Sequence, residues 1–193
     1  PPMKLGRVNV VDLSWGVEGT LGVTRAASEF VMPIHLIYSS KEEASGLFGP
    51  QWRSPQLESR LIHVDEGILE WKTPWGASIA LTQKNGRAFS DYTGEWNAAQ
   101  QGEMRFIISR KDGWHLTYNK GYLQEVTAPG GRKLLYRYQG KGILSAVVQV
   151  GAQGGAEWQI VQVTMDFATG RAQSIKVGGA ENRFTFAKAN PNA

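Results

Sequence analysis

At 193 residues, 41% hydrophobic and with a net charge of +4, the chain fits a single folded domain and excludes a disordered segment. Its 21 basic residues are scattered, with Arg110-Lys111 and Arg132-Lys133 the only adjacent pairs, which excludes the basic stripe of a nucleic-acid binder. The lack of cysteine removes disulfides, thiol catalysis and cysteine-ligated zinc, and no apolar run reaches the roughly 18–20 residues of a membrane helix.

In chain order, apolar segments at 7–13, 21–24 and 30–38 predict strands separated by glycine-containing turns such as Gly16-Val-Glu-Gly19. Pro33 stands near the start of the third, where a missing N–H does least harm. A polar loop follows from Ser39 to Gly46. Residues 57–81 read as short strands with turns at Asp65-Glu-Gly67 and Thr73-Pro-Trp-Gly76. Asn85-Gly86 is the strongest local signal, because Asn-Gly favours the tight turn whose twist suits antiparallel strands. Asn97-Ala-Ala-Gln-Gln101 offers a turn or two of helix, stopped at Gly102. Strands are then expected at 104–110, 114–118, 122–127, 132–138, 143–150, 157–167, 171–177 and 183–186, with a turn between each pair.

Within that series one spacing recurs: a glycine, an apolar residue two places on and, in each copy, a β-branched residue three beyond. The copies are Gly121-Tyr-Leu123-Gln-Glu-Val126, Gly142-Ile-Leu144-Ser-Ala-Val147 and Gly170-Arg-Ala172-Gln-Ser-Ile175. Paired apolar or aromatic residues accompany them: Leu116-Thr-Tyr118, Tyr136-Arg-Tyr138, Met165-Asp-Phe167 and Phe184-Thr-Phe186. A repeat of about 20 residues predicts hairpins that build a surface by stacking. The fold class expected is therefore all-β: one antiparallel curled sheet of consecutive hairpins over residues 1–193, able to close into a partial barrel.

These residues resemble the RHS, or YD-repeat, family of large surface and secreted proteins. The match runs from Tyr118, Gly121 and Leu123 through Gly131 to Tyr136 and Tyr138, with further copies at Gly142-Leu144 and, degenerate, at Gly170. Tyr38-Ser-Ser40 followed by Gly46-Leu-Phe-Gly49-Pro-Gln-Trp52 is similar to the segment that precedes the repeats in that family. The resemblance divides the chain into an opening segment (7–56), strands leading in (57–110) and YD-like repeats (111–187). It implies a non-enzymatic structural or interaction role in a secreted or cell-surface protein. The expected partners are the rest of a larger parent chain, or a second copy joined through open sheet edges. The Pro1-Pro2 start reads as a processed or excised end, compatible with a removed signal peptide.

Candidate chemistry is sparse. His35, His63 and His115 stand alone in predicted strands, without the convergent spacing that zinc requires, so neither metal nor cofactor is expected. Glu42-Glu43, Asp65-Glu66 and Asp112 fall in loops, where acids ordinarily bond nearby amides. No Gly-x-Ser-x-Gly elbow is present, and Gly16–Gly22 lacks the Gly-Lys-Ser/Thr ending of a phosphate loop. The tryptophans carry the alternative function: Trp71 and Trp75 flank a proline turn and Trp96 sits in a polar loop, where exposed rings would bind a glycan or cell-wall polymer. Trp52, Trp114 and Trp158 read as core.

Overall fold

Glycine-turned hairpins fill the computed structural model, which describes residues 4–9, 14–24, 26, 28–40, 45–140, 142–166 and 168–185. The first part holds β1 (Lys4–Asn9), β2 (Ser14–Val23), a 3-10 turn (Ser28–Phe30), β3 (Pro33–Ser39), β4 (Ser45–Gly46), β5 (Gly49–Pro50) and β6 (Trp52–Arg53). β1, β2, β3 and β6 form a four-stranded antiparallel sheet, and β4 and β5 pair by themselves.

The rest is one long meander: β7 (Arg60–Asp65), β8 (Ile68–Lys72), β9 (Ser78–Asn85), β10 (Ala88–Ser90), β11 (Trp96–Gln100), β12 (Arg105–Arg110), β13 (His115–Asn119), β14 (Tyr122–Thr127), β15 (Lys133–Gln139), β16 (Ile143–Val150), β17 (Glu157–Asp166), β18 (Arg171–Val177) and β19 (Ala180–Arg183). Each strand pairs antiparallel with the next, and one further pairing closes the ring. β14 bonds β13 along its length, meets β7 at its first residue (Tyr122 opposite Arg60) and β15 at its last three. β7 to β14 thus form a closed eight-stranded barrel, and β15 to β19 leave it as a curled extension.

The closure needs a glycine. Gly121 turns at φ +77°, its carbonyl accepts the Leu61 N–H at 3.0 Å, and a Cβ there would lie 2.8 Å from the Leu61 carbonyl oxygen. The repeat glycine therefore supplies both a left-handed turn and the close backbone approach that joins first strand to last.

Alternation fills the barrel. Leu69 and Trp71 on β8, Phe106 and Ile108 on β12, and Leu116 and Tyr118 on β13 all point inward and are buried. Trp71 Nε1 donates to the Tyr118 hydroxyl at 2.7 Å, and Ser59 Oγ lies 2.7 Å from the same oxygen. The single Ser59 hydroxyl proton goes to the Lys72 carbonyl at 2.7 Å, so Tyr118 must donate to Ser59. Every polar atom of this buried trio is then satisfied, as burial demands.

The repeats share one structural device. In each of three hairpins the strand before the turn presents two inward residues two apart: Leu116/Tyr118, Tyr136/Tyr138 and Val163/Met165. They face residues three apart: Val126/Leu123, Val147/Leu144 and Ile175/Ala172. Residues three apart fall on opposite faces of a regular strand. One extra residue, Gln124, Ser145 or Gln173, is left without a partner at the same place in every copy, forming a β-bulge that returns both apolar residues to the core. All six facing residues are buried.

The extension packs on the N-terminal sheet, whose Leu21, Ile34, Leu36 and nearby Phe48 join the core of Leu134, Val147, Val163 and Ile175. The Tyr136 hydroxyl donates to the Gln56 carbonyl at 3.1 Å, and the His35 N–H to Gln56 Oε1 at 3.1 Å, tying both sheets to the 54–59 connection. Glu58 lies in the same connection. Its buried carboxylate accepts the backbone N–H groups of Leu47 and Ser54, pinning the β4–β5 hairpin.

Several expectations need correction. Gly16-Val-Glu-Gly19 is not a turn but lies inside β2, where partners on both sides impose extended backbone. Residues 97–101 are not helical: Trp96 and Ala98 point inward from β11 between two neighbours, and tertiary pairing overrides the helical preference of alanine and glutamine. The last strand is Ala180–Arg183 rather than 183–186. The β14–β7 pairing closes one end of the sheet on itself, where open edges were expected, and β19 ends the sheet among the described residues. Glu42, Glu43, Phe167 and Phe186 lie outside the described residues.

Deleting Ser145 is expected to cost at least about 3 kcal/mol, because Val147 or Leu144 must leave the core, whereas Ser145→Ala costs below about 1 kcal/mol. Urea unfolding checks the contrast, and equal stability of the two variants would refute the bulge as the organising device.

Burial pushes the Glu58 carboxyl above its ordinary value, outweighing the opposing pull of the Ser54 and Leu47 amides and of Arg60 and Arg53. The native state then holds this proton more tightly than the unfolded chain. Its contribution is complete below the unfolded pKa of about 4.3 and is lost as pH rises through the raised native value. The stability advantage of the native chain over Glu58→Gln should shrink across that interval in pH-resolved unfolding. An advantage that grows with pH would contradict it.

Candidate functional site

Strand alternation sends the β8–β9, β10–β11 and β12–β13 connections to one end of the barrel. That end carries Trp75 in the first connection, Trp96 at the start of β11, Arg110 at the end of β12 and Trp114 just before β13. The 3-10 turn and β3 of the N-terminal sheet form the opposite wall. Between them lies a cleft of about 520 Å³. Its floor is apolar, with Leu116, Val126 and Leu134, and its walls carry Phe30, Trp75, Trp96, Trp114 and Tyr136. Barrel mouths and junctions between sheets are common places for ligand sites.

The indoles form one continuous stack. Trp71 is fully buried and meets Trp96 edge-on, with ring centroids 4.8 Å apart. Trp75 lies 5.2 Å from Trp71 at 85° and is stacked on Trp96 at 5.3 Å and 29°. Trp96 is 6% exposed, whereas Trp75 is 52% exposed. The structure therefore unites the three tryptophans singled out in the sequence but gives them different roles. Trp71 is core and cannot touch a ligand. Trp96, in a strand and not a loop, backs Trp75. Trp75 alone offers an open face.

The polar groups of the cleft are few and mostly engaged. Arg110 grips Asp112 through Nε, 2.8 Å from Oδ1, and Nη2, 2.5 Å from Oδ2, and its guanidinium carbon lies 5.1 Å from the Trp96 ring centroid. Asp112 is held below the ordinary carboxylate range, chiefly by that hydrogen bond. Glu29 pairs with Arg132 at 2.8 Å. The His35 ring nitrogen Nδ1 lies 2.8 Å from a Glu18 carboxylate oxygen, and Glu18 stands half-exposed at the lip. Phe30 meets Trp114 edge-on at 5.8 Å.

The repeat tyrosines serve the fold. Burial pushes the hydroxyls of Tyr118, Tyr136 and Tyr138 well above the ordinary tyrosine value, so they stay protonated and act as donors. Tyr138 donates to the Leu123 carbonyl at 2.8 Å, across its own repeat. Leu123 and Leu144 are buried, and Gly131, Gly142 and Gly170 turn at φ +79°, +81° and +67°. The histidines are dispersed: His35 lines the cleft, His63 packs edge-on to Phe106 at 5.6 Å, and His115 Nδ1 meets Ser109 Oγ at 2.9 Å. Among the described residues no three His, Cys, Asp or Glu side chains converge for a metal, and no helix is long and apolar enough to cross a membrane.

Sequence reasoning missed Phe30, Glu18, His35 and Arg110 as cleft residues and placed Trp114 in the core, where only part of it lies. The available signal was topological: Trp75, Trp96 and Trp114 all stand beside connections of equal parity. No protein-family model and no curated protein matches this chain.

Trp71→Ala should cost about 3–5 kcal/mol of stability, since it empties a fully buried site and removes one of the two hydrogen bonds of the Tyr118 hydroxyl. Trp75→Ala should cost below about 1 kcal/mol. Comparable losses on thermal or urea unfolding would mean that Trp75 is a core residue like its neighbour.

Proposed function

We propose that this chain is a non-enzymatic interaction module of the RHS/YD-repeat kind, from a secreted or surface-associated protein, whose binding site is the aromatic cleft at the barrel mouth. The observation that carries the reading is the division of labour among the aromatics. The repeat tyrosines and Trp71 are consumed in holding strands together, while Trp75 is mounted on that frame with one face open. A rigidly backed indole loses little freedom on binding, which favours recognition. The histidines stand apart, and the acids near the cleft serve turns and ion pairs, so the support is for binding without turnover. The resemblance of the bulged repeats to the YD pattern supports placing the module within a larger parent chain or a self-assembled sheet, joined through the β19 edge.

A glycan- or cell-wall-binding role is the second reading. It rests on Trp75, whose open face has the flat form that stacks on a sugar ring.

The test is a thermal-shift and tryptophan-fluorescence screen of oligosaccharides and short peptides, followed by mass analysis of every compound that binds. Ligands should raise Tm, lose their effect in Trp75→Ala and be recovered unchanged. Conversion of a bound compound by the native chain but not by Trp75→Ala would overturn the non-enzymatic reading.

A further inference from the structure

Resting on the cleft as a binding site, we infer that it takes an organic cation: an alkylammonium or guanidinium group seated on the open face of Trp75, with the Glu18 carboxylate as its counter-charge. Three observations carry this. First, the cleft already accommodates one such group of its own, since the Arg110 guanidinium lies 5.1 Å from the Trp96 centroid, within the roughly 6 Å over which an indole face attracts a cation. Its charge is matched by the bidentate Asp112, so it does not oppose a second cation. Trp75, stacked on the same Trp96, repeats that indole surface without a guanidinium of the chain over it among the described residues.

Second, the charges along the lining are unequal among the described residues. Glu29 is answered by the Arg132 guanidinium and Arg110 by Asp112, whereas, among the described side chains, the Glu18 carboxylate meets the His35 ring and no guanidinium or ammonium group. Glu18 is 51% exposed, so a ligand cation reaches it without stripping it of all water. In a protein of net charge +4, a carboxylate beside an aromatic wall selects for positive charge locally.

Third, the hydrogen-bonding groups that a neutral sugar would need are largely taken. The Tyr136 hydroxyl is given to the Gln56 carbonyl, Gln56 Oε1 receives the His35 N–H, and two faces of the Arg110 fork go to Asp112. A cation on an apolar body asks for aromatic faces and one carboxylate, and the cleft offers Trp75 and the half-exposed Glu18, whose contact is the His35 ring. The other exposed large aromatics, Tyr92 and Trp158, have no ring packed behind them among the described residues.

The chemistry is shared by two sources, a free quaternary ammonium compound and the Arg or Lys side chain of a partner segment. The probes are choline, its neutral isostere 3,3-dimethylbutan-1-ol, a short arginine-containing peptide, the same peptide with citrulline in place of arginine, and a neutral oligosaccharide panel. Titrations read by tryptophan fluorescence should show choline or the arginine peptide binding about three- to tenfold more tightly than its neutral counterpart. Choline alone would assign a small ligand, and the peptide alone a basic partner segment. Trp75→Ala should abolish the preference, and Glu18→Gln should weaken the cation several-fold while leaving Tm and the neutral probe unchanged. Equal binding of charged and neutral members, or oligosaccharide binding alone, would overturn the cation inference and leave the binding module standing. No response from any probe would overturn both.

Discussion

One extra residue in each of the three repeat hairpins, always three places after the turn glycine, decides which side chains reach the core on which the rest depends. A flat ribbon of regular hairpins could not bury Leu123 with Val126, Leu144 with Val147 and Ala172 with Ile175, because odd spacing places side chains on opposite faces. The bulges at Gln124, Ser145 and Gln173 restore the phase, and each adds local bend and right-handed twist to its strand. The Gln124 bulge lies in β14, the strand that meets β7, where Gly121 permits the last backbone contact, and the Ser145 and Gln173 bulges curl the extension beyond the barrel. In β14 the bulge that returns Leu123 and Val126 to one face and the contact that closes the ring belong to the same strand.

The cleft is a consequence of that closure. In an up-and-down barrel every second connection reaches the same end, so Trp75, Trp96 and Trp114 converge although more than 35 positions separate the first from the last. The N-terminal sheet cannot close the mouth, because its own apolar face is spent on the extension through Leu21, Ile34 and Leu36. What remains is the gap between Phe30 and Trp75. Of its aromatic walls Trp96 and Tyr136 lie in strands, whereas Phe30 stands in the 3-10 turn and Trp75 and Trp114 in connections at the barrel end.

The sequence made the strands from 57 onward legible because turn glycines punctuate alternating apolar residues at short intervals. The predicted spans 143–150 and 171–177 coincide with β16 and β18. The interval of three between Leu144 and Val147 also announced the bulge, but only to a reader asking why alternation failed there. Gly16 to Gly19 and residues 97–101 misled because local propensity is weak against two flanking strands. The cleft was half visible. Tryptophans flanking a turn suggested an open surface, yet nothing local distinguishes Trp71, which points into the barrel, from Trp75, four residues on and past its rim. Glu18, His35 and Phe30 were invisible, since they reach the site through packing between sheets distant in sequence.

The chain of contacts from Ser59 through Tyr118, Trp71 and Trp96 to Trp75 joins the buried interior of the barrel to a half-exposed ring at its mouth. Each link has a different physical basis: hydrogen bonds at the buried end, edge-to-face contact in the middle, offset stacking at the surface. Only the outermost ring can lose its neighbours without leaving a cavity or a stranded polar atom. Substitution therefore has freedom at the exposed Trp75 and Glu18 and little behind them. The inward members of the stack are fixed by the same packing that fixes the strands, so in this barrel the requirements of folding place the exposed ring and leave its chemistry open to change.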